Sequence, residues 1–265
     1  MIKNSRELTI TSPSRLHLGF YGFENTYGYK YGSMGLAINA HKTSILIKKS
    51  KRFISNLPKK YTLPILKYLE LNNIKNNFEV HVINRSPSHV GLGSGSQLSL
   101  SLGMGICKFL NLKIEVHEIA DLYNRGQRSG TGISIFKEGG FVVDACKKDI
   151  LLPRAMFKSK FPKDWSFILL NDLKLKGTSG HRENKFFSKS RTTNHKKSEL
   201  SHILLRGILP SIIYKDFNPN NKEVLRKIIH IGIGPLIPFA KFLDIDQTSA
   251  LYFTCLLYTS DAADE

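Results

Sequence analysis

The sequence predicts an α+β fold with two lobes. Short segments with strand-like alternation occupy the first half of the chain, at 8–11, 43–49, 78–84 and 140–145. Helical patterns are grouped instead of alternating strictly with these strands, and they dominate the last quarter. This order favours an α+β sandwich over a doubly wound sheet. With 265 residues, 41% of them hydrophobic, the chain can bury one large core or two modest ones.

A strand and a helix flank a glycine-rich loop, PSHVGLGSGSQ, at 87–97. In the strand before the loop, Phe78 and Val80 share one face with Val82, the period of a half-buried strand. After the loop, apolar residues recur along one side of a helix: Leu98, Leu102, Ile106, Phe109 and Leu110. Gly103 and Gly105 within this helix each cost about 1 kcal/mol relative to alanine. We therefore expect a neighbouring element to pack closely there.

The remaining patterns divide the chain into two predicted domains and a tail. They comprise a helix at 116–124, a strand at 165–170, a basic loop at 174–196 and helices at 199–214 and 222–231. We assign 1–155 to an N-terminal domain and 156–254 to a C-terminal α+β domain. The final residues, 255–265 (CLLYTSDAADE), resemble translated adapter sequence. We expect them to be a non-native tail on a C-terminal domain that is incomplete.

The charge of the chain predicts a negatively charged partner. Thirty-nine basic and 21 acidic residues give a net charge of +18, which concentrates anions near the surface. The basic residues form only short clusters, at 48–52 and 185–197, which fit a solvated surface better than a nucleic-acid interface. A polyphosphate metabolite, a nucleic acid and a general abundance of lysine all remain open explanations at this point.

The cysteines, the histidines and the hydropathy exclude several classes of protein. Cys107, Cys146 and Cys255 are odd in number and widely spaced, which predicts free thiols and neither a disulfide framework nor a zinc site. The nine histidines lack the spacing of a transition-metal site. No apolar run reaches the ~20 residues of a membrane span, and the first residues lack a secretory signal pattern. We expect a cytoplasmic protein without a membrane partner.

The glycine-rich loop has the arrangement of an anion site. Gly91, Gly93 and Gly95 permit positive φ and leave backbone N–H groups accessible. The following helix adds its free N-terminal N–H groups and the positive end of its dipole. The loop matches neither the dinucleotide fingerprint nor the Walker pattern. A flexible turn between packed elements is the alternative interpretation.

Three further stretches supply cationic or polar groups. Arg15 and His17 are two residues apart on an extended segment, so both side chains point to one face. A surface ion pair for Arg15 and a core position for His17 are the structural alternatives. The run GSMG around Ser33 predicts a tight turn with a hydroxyl group. The stretch RGQRSGTG at 125–132 combines two arginines with three glycines, a composition that suits phosphate or carboxylate recognition.

Taken in order, these motifs resemble those of the β-ribofuranosylaminobenzene 5′-phosphate synthase family. The matching runs are SRLHLGF, GSMGLAI, PSHVGLGSGSQLSLSLG, GQRSGTGISIFKEGGFVVD, FPKDWSFILLN and KGTSGHRE, between about residues 8 and 190. That family is a branch of the GHMP small-molecule kinase superfamily. The resemblance implies an N-terminal lobe like a ribosomal-protein domain and a ferredoxin-like C-terminal lobe.

The resemblance also implies an activity and a set of site residues. Such enzymes join 5-phosphoribosyl 1-diphosphate to 4-aminobenzoate or 4-hydroxybenzoate in tetrahydromethanopterin biosynthesis, releasing diphosphate and carbon dioxide, usually with Mg²⁺. A homodimer is the habit of the family. By motif position, the predicted catalytic residues are Arg15, His17 and Arg128. The predicted substrate- and phosphate-binding residues are Ser33, Gly91, Gly93, Ser94, Gly95, Ser96, Gln97, Arg125, Ser129 and Gly130.

Two departures from the family patterns qualify these expectations. The parent kinases carry Ser-Gly-x-Asp where this chain has Ser129 to Gly132, so glycine stands in place of the carboxylate that assists the substrate hydroxyl. This departure counts against an ATP-dependent kinase, which is the first alternative function, ahead of a basic nucleic-acid-associated protein. The family's C-terminal Gly-Gln-Ser-Ser-Trp-Gly-Pro segment has no match here. The motifs leave the metal ligands open, and His17, Glu24 and Asp144 are the candidates for a general base.

Overall fold

The fold is dominated by a six-stranded sheet with helices against it. The computed structural model describes residues 6–22, 29–88, 90–147, 153–161, 169 and 201–215. The strands are β1 (Glu7–Gly22), β2 (Tyr29–Lys49), β3 (Ile54–Ser55), β4 (Phe78–Asn84), β5 (Phe141–Lys147) and β6 (Arg154–Ser159). The helices are α1 (Lys59–Leu71), α2 (Ser94–Phe109), α3 (Val116–Leu122), α4 (Thr131–Glu138) and, after a π-helical turn at Leu204–Ile208, α5 (Leu209–Tyr214).

The long strand β2 organises the sheet. The strand order is β3-β4-β2-β5-β6, and β1 pairs with β2 along its other edge. The second half of β2 pairs with β4, and its first half pairs with β5. The pairings are antiparallel apart from the short β3–β4 contact. One strand of 21 residues therefore connects the two ends of the sheet.

The first hydrophobic core lies between α2 and the β4 end of the sheet. The apolar stripe predicted for α2 is confirmed, since Leu98, Leu102 and Ile106 are fully buried against strand residues such as Ile47. Each such side chain contributes roughly 2 kcal/mol through burial. The small residues of α2 allow this close approach. A Cβ atom at Gly103 would overlap the side chain of Ile119, and one at Gly105 would lie 3.0 Å from Ile47 Cδ1. The expected close packing at both glycines is confirmed.

The second hydrophobic core lies at the β5 end of the sheet. Leu16, Leu36 and Phe141 come from the sheet, and Ile208 and Ile212 come from the π-helical turn and α5. β6 continues the same sheet beyond β5 and crosses position 155, where the boundary between the two predicted domains was drawn. The division into two domains stays a prediction.

Comparison with these elements confirms some sequence predictions and corrects others. The α+β class is confirmed, and β1 and β2 extend well beyond the predicted strands. The tight turn predicted around Ser33 is wrong, because 32–35 lies within β2. The glycines there make room for neighbours: Cβ atoms would overlap the Tyr21 ring at Gly32 and lie 2.9 Å from Thr131 Cβ at Gly35.

Other predictions fall partly outside the described residues. The strand at 165–170, the helix at 222–231 and the tail at 255–265 lie outside them, apart from residue 169. The helix at 199–214 is described from residue 201 onward. Cys107 and Cys146 are buried free thiols, as predicted, and Cys255 lies outside the described residues. In the part of the chain that the structure describes, no helix is long and apolar enough to span a membrane.

Candidate active site

The glycine-rich loop docks on the free edge of β1. The backbone N–H groups of Arg15 and His17 donate to the carbonyl oxygens of Leu92 and Gly91, at 3.0 and 3.1 Å. Gly91 and Gly93 have φ values of 74° and 63°, the left-handed region in which glycine is favoured. These bonds place the two predicted cationic or donor residues beside the loop.

The N-terminus of α2 follows directly and has no side-chain cap. Gly93 is the N-cap residue, and it provides no side-chain hydrogen bond to the first N–H groups. The first turn also contains no acidic residue. Gly95 belongs to this turn and not to the loop, which corrects the predicted three-glycine loop. The positive end of the helix dipole favours a negatively charged ligand here.

Arg15 and His17 are both buried beside this helix end. Arg15 is 2% exposed and His17 is 5% exposed, which rules out a surface ion pair for Arg15. Burial, with a smaller effect from the Arg15 charge, holds the pKa of His17 well below its usual value. His17 is therefore neutral at pH 7. Neither of its ring nitrogens has a hydrogen-bond partner among the described residues, so both can serve a ligand.

The N-terminus of α4 lies next to that of α2. Gln97 Nε2 on α2 donates to the carbonyl oxygen of Gly132 on α4 at 3.0 Å. A Cβ atom at Gly132 would lie 3.7 Å from Ser96 Cβ, which is ordinary contact. Space for a Cβ atom therefore exists at the position where the parent kinases carry aspartate.

Asp144 forms a buried polar network at the start of α4. Its Oδ1 accepts hydrogen bonds from the backbone N–H and the hydroxyl of Ser33, at 2.8 and 2.7 Å. Its Oδ2 accepts a short hydrogen bond from the N–H of Gly130. Ser129 Oγ lies 2.7 Å from both Ser33 Oγ and Thr131 Oγ1. The network joins β2, β5 and the loop before α4.

Burial raises the pKa of Asp144 to about 6, although hydrogen bonds from Ser33, Gly130 and Thr131 act in the opposite direction. Both carboxylate oxygens are already engaged as acceptors, so the geometry does not favour Asp144 as a general base for a substrate. Of the other two candidates, His17 is neutral but a weak base, because burial and the Arg15 charge lower its pKa, and Glu24 lies outside the described residues.

The predicted site residues fall into three groups. The structure gathers Arg15, His17, Gly91, Gly93, Ser94, Gly95, Ser96 and Gln97 around the N-terminus of α2. Ser33, Ser129 and Gly130 instead belong to the network of Asp144. Arg128 is half-buried in the loop before α4, and Arg125 follows α3, where its N–H donates to the Ala120 carbonyl at 2.7 Å.

Sequence reasoning missed the structural role of Asp144 and the bridge made by Gln97. The signal for Asp144 was present in β5, where every second residue points to the same face. That face carries Val142, Asp144 and Cys146. A carboxylate between two apolar residues on a buried face must have partners. Nothing local identified those partners.

The described residues contain no group of three His, Cys, Asp or Glu side chains that could hold a metal ion. Among these residues Asp144 is also the one buried carboxylate, and its oxygens are occupied by N–H and O–H donors. The described residues therefore do not fit a protein cage for Mg²⁺.

The sheet, with an open helix N-terminus at its glycine-rich loop, defines a protein of the GHMP kinase fold. The family model "GHMP kinases N terminal domain" matches residues 56–140. The mevalonate kinase of Methanococcus jannaschii superposes with a TM-score of 0.55 at 18% identity, covering 84% of this chain and 80% of that chain.

Two curated relatives narrow the identification. The β-ribofuranosylphenol 5′-phosphate synthase of Archaeoglobus fulgidus is 30% identical over 244 residues, which cover 85% of this chain and 76% of the relative. The synthase of the same name from Methanothermobacter thermautotrophicus is also 30% identical, with coverages of 82% and 74%. The chain belongs to this synthase family and is an enzyme. The resemblance seen in the sequence motifs is confirmed.

Proposed function

We propose that this chain transfers the 5-phosphoribosyl group of 5-phosphoribosyl 1-diphosphate to a para-substituted benzoate, with release of diphosphate and carbon dioxide, as in tetrahydromethanopterin biosynthesis. Two observations carry the proposal: the N-terminus of α2 has no side-chain cap, and the buried residues Arg15 and His17 hold the preceding loop through their backbone N–H groups. The relatives are named for a ribofuranosylphenol, which supports 4-hydroxybenzoate as the acceptor over 4-aminobenzoate.

The first bond to break joins the anomeric carbon to diphosphate, which leaves with the electron pair. Negative charge develops on the departing oxygens, and N–H groups already oriented toward them stabilise that charge without reorganisation. The first turn of α2 supplies such groups, and Arg15 adds a positive charge in a buried setting where charge interactions are strong. Because a backbone hydrogen bond joins Arg15 to the loop, their relative position is fixed before the substrate binds.

The second step forms a carbon–carbon bond. The ring carbon that bears the carboxylate attacks the electron-poor anomeric carbon, and the bond to the carboxylate then breaks. Its electron pair returns to the ring, so aromaticity is restored and carbon dioxide leaves with no net oxidation or reduction. A neutral His17 can accept a hydrogen bond from a para hydroxyl group, which favours electron donation from that oxygen into the ring.

The resemblance predicts Mg²⁺, which in this proposal binds as a complex with the substrate. Mg²⁺ keeps several waters and binds readily through phosphate oxygens without a dedicated protein cage. We infer that any such ion is bound mainly by the diphosphate group. This inference is consistent with the described residues, which provide no cluster of ligands for it. A homodimer likewise stays a prediction.

The kinase alternative is the main competitor because of the shared fold. Glycine at position 132 leaves that site without the carboxylate that the parent kinases use, although a Cβ atom there would make only ordinary contacts. The alternative of a basic nucleic-acid-associated protein rests only on the net charge of +18. Both alternatives therefore have less support than pentosyl transfer.

The decisive experiment incubates the purified chain with 5-phosphoribosyl 1-diphosphate and benzoate labelled in the carboxyl group. We expect stoichiometric release of diphosphate and labelled carbon dioxide, faster with 4-hydroxybenzoate than with 4-aminobenzoate. Parallel reactions contain ATP and a small alcohol, or labelled RNA at two salt concentrations. ATP consumption without carbon dioxide release would support the kinase, and steeply salt-dependent RNA binding would support the nucleic-acid alternative.

A further inference from the structure

Two helix N-termini converge at the candidate site, and they differ in how their N–H groups are satisfied. The start of α2 has no side-chain cap and no acidic residue in its first turn. The start of α4 already holds a carboxylate, because Gly130 donates its N–H to Asp144, and the N–H of Thr131 donates to Ser129 Oγ at 3.4 Å. Asp144 comes from β5 and is fully buried.

We propose that Asp144 is a positioning residue that fills the N-terminus of α4 with an internal anion, so that the diphosphate of the substrate binds at α2 alone. This inference rests on the proposed function for the identity of the external anion. It assigns Gly130, Ser129 and Ser33 to the support of the site, although sequence motifs placed them in direct contact with phosphate.

The hydrogen bonds of Ser33 show how Asp144 orders this region. Ser33 Oγ lies 2.7 Å from both Asp144 Oδ1 and Ser129 Oγ, but the hydroxyl carries one proton. With an ionised carboxylate, the proton of the Ser33 hydroxyl points to Asp144 and not to Ser129. Ser129 in turn lies 2.7 Å from Thr131 Oγ1. Three neighbouring hydroxyl groups therefore connect the carboxylate to the first residue of α4.

The same network holds α4 against the sheet and against α2. Thr131 packs over Gly35 on β2, where an added Cβ would lie 2.9 Å from Thr131 Cβ. One residue later, the Gly132 carbonyl accepts the hydrogen bond from Gln97 on α2. A shift at Gly130 would therefore reach the helix end that we assign to diphosphate. Arg128, two residues before Gly130, would move with it.

Chemical rescue tests this assignment. Asp144→Ala removes the carboxylate and leaves a buried cavity lined by the freed N–H groups of Gly130 and Ser33. Formate fits such a cavity and restores both the charge and the acceptors, whereas formamide is of similar size and neutral. We expect formate to raise the Tm of Asp144→Ala saturably and to restore most of a kcat lowered at least about tenfold. Formamide should do neither.

Val142→Ala is the matched control, because Val142 is fully buried two residues away on the same strand and face. It leaves a cavity of related size without removing an anion, so formate should not stabilise it. Equal responses of the two variants to formate, or no response of Asp144→Ala, would overturn the proposal.

A second variant covers the case in which Asp144→Ala does not fold. Asp144→Asn keeps the volume but turns one acceptor into a donor that faces either Gly130 N–H or Ser33. We expect a lowered kcat for this variant with no formate response, and an unchanged kcat would overturn the proposal. Binding of inorganic diphosphate to the unmodified chain separates a failure of the proposed function from a failure of the role assigned to Asp144. If the unmodified chain neither binds diphosphate nor releases it from substrate, the proposed function fails, while the Tm response to formate still reports on α4.

Discussion

The burial of Asp144 predicts an unusual pH dependence of stability. Its pKa rises from 3.8 to about 6 on folding, mainly through desolvation. The folded state therefore binds the proton more tightly than the unfolded state between these values. By linkage, the contribution of Asp144 to stability is fully present below its unfolded pKa and is lost as the pH rises through its folded pKa. Asn at this position does not titrate, so Asp144→Asn isolates the effect.

The magnitude follows from the size of the shift. Two pKa units correspond to about 3 kcal/mol, of which about 2 kcal/mol falls between pH 4 and pH 7. We expect the free energy of unfolding of the unmodified chain, minus that of Asp144→Asn, to fall by this amount over the interval. Denaturant titrations at several pH values measure the difference, with the exposed Asp121→Asn as control. A difference that is flat or that rises with pH would refute the burial argument.

Three further variants test the candidate site and its packing. Gly132→Asp adds a Cβ atom whose nearest neighbour is 3.7 Å away, and its charge should weaken diphosphate binding about tenfold at low salt. Calorimetry checks this, and unchanged affinity would count against α2 as the anion site. Gly93→Val should lose about 1–2 kcal/mol of unfolding free energy, since φ is 63° there, and a stability equal to that of the unmodified chain would contradict the strained geometry. Arg15→Ala should raise the KM for phosphoribosyl diphosphate at least about tenfold, and the idea fails if the exposed-site control Arg52→Ala raises it equally.

Local periodicity accounts for the parts of the fold that the sequence could predict. The apolar stripe of α2 and the close packing at Gly103 and Gly105 follow from the pattern of one segment, and both are confirmed. The positive φ values of Gly91 and Gly93 were likewise predictable, because glycine adopts such values without a steric penalty.

The parts that could not be predicted depend on distant partners. Ser33 and Asp144 are 111 residues apart, so no local pattern reveals that one accepts the other's hydrogen bonds. The glycines around Ser33 resemble a turn in sequence, yet they lie in a strand because Tyr21 and Thr131 pack onto them. The phosphate contact predicted for Gly130 stays a prediction, and no local pattern reveals that its N–H donates to a carboxylate from β5.

The length of β2 has a consequence for how the chain unfolds. Its residues contribute to both hydrophobic cores, with Ile45 and Ile47 in one and Met34 and Leu36 in the other. Separating either core from the sheet would expose one end of a continuous strand whose other end is still paired. The two cores are thus mechanically coupled through a single backbone, and a local opening at one end is transmitted along β2 toward the other.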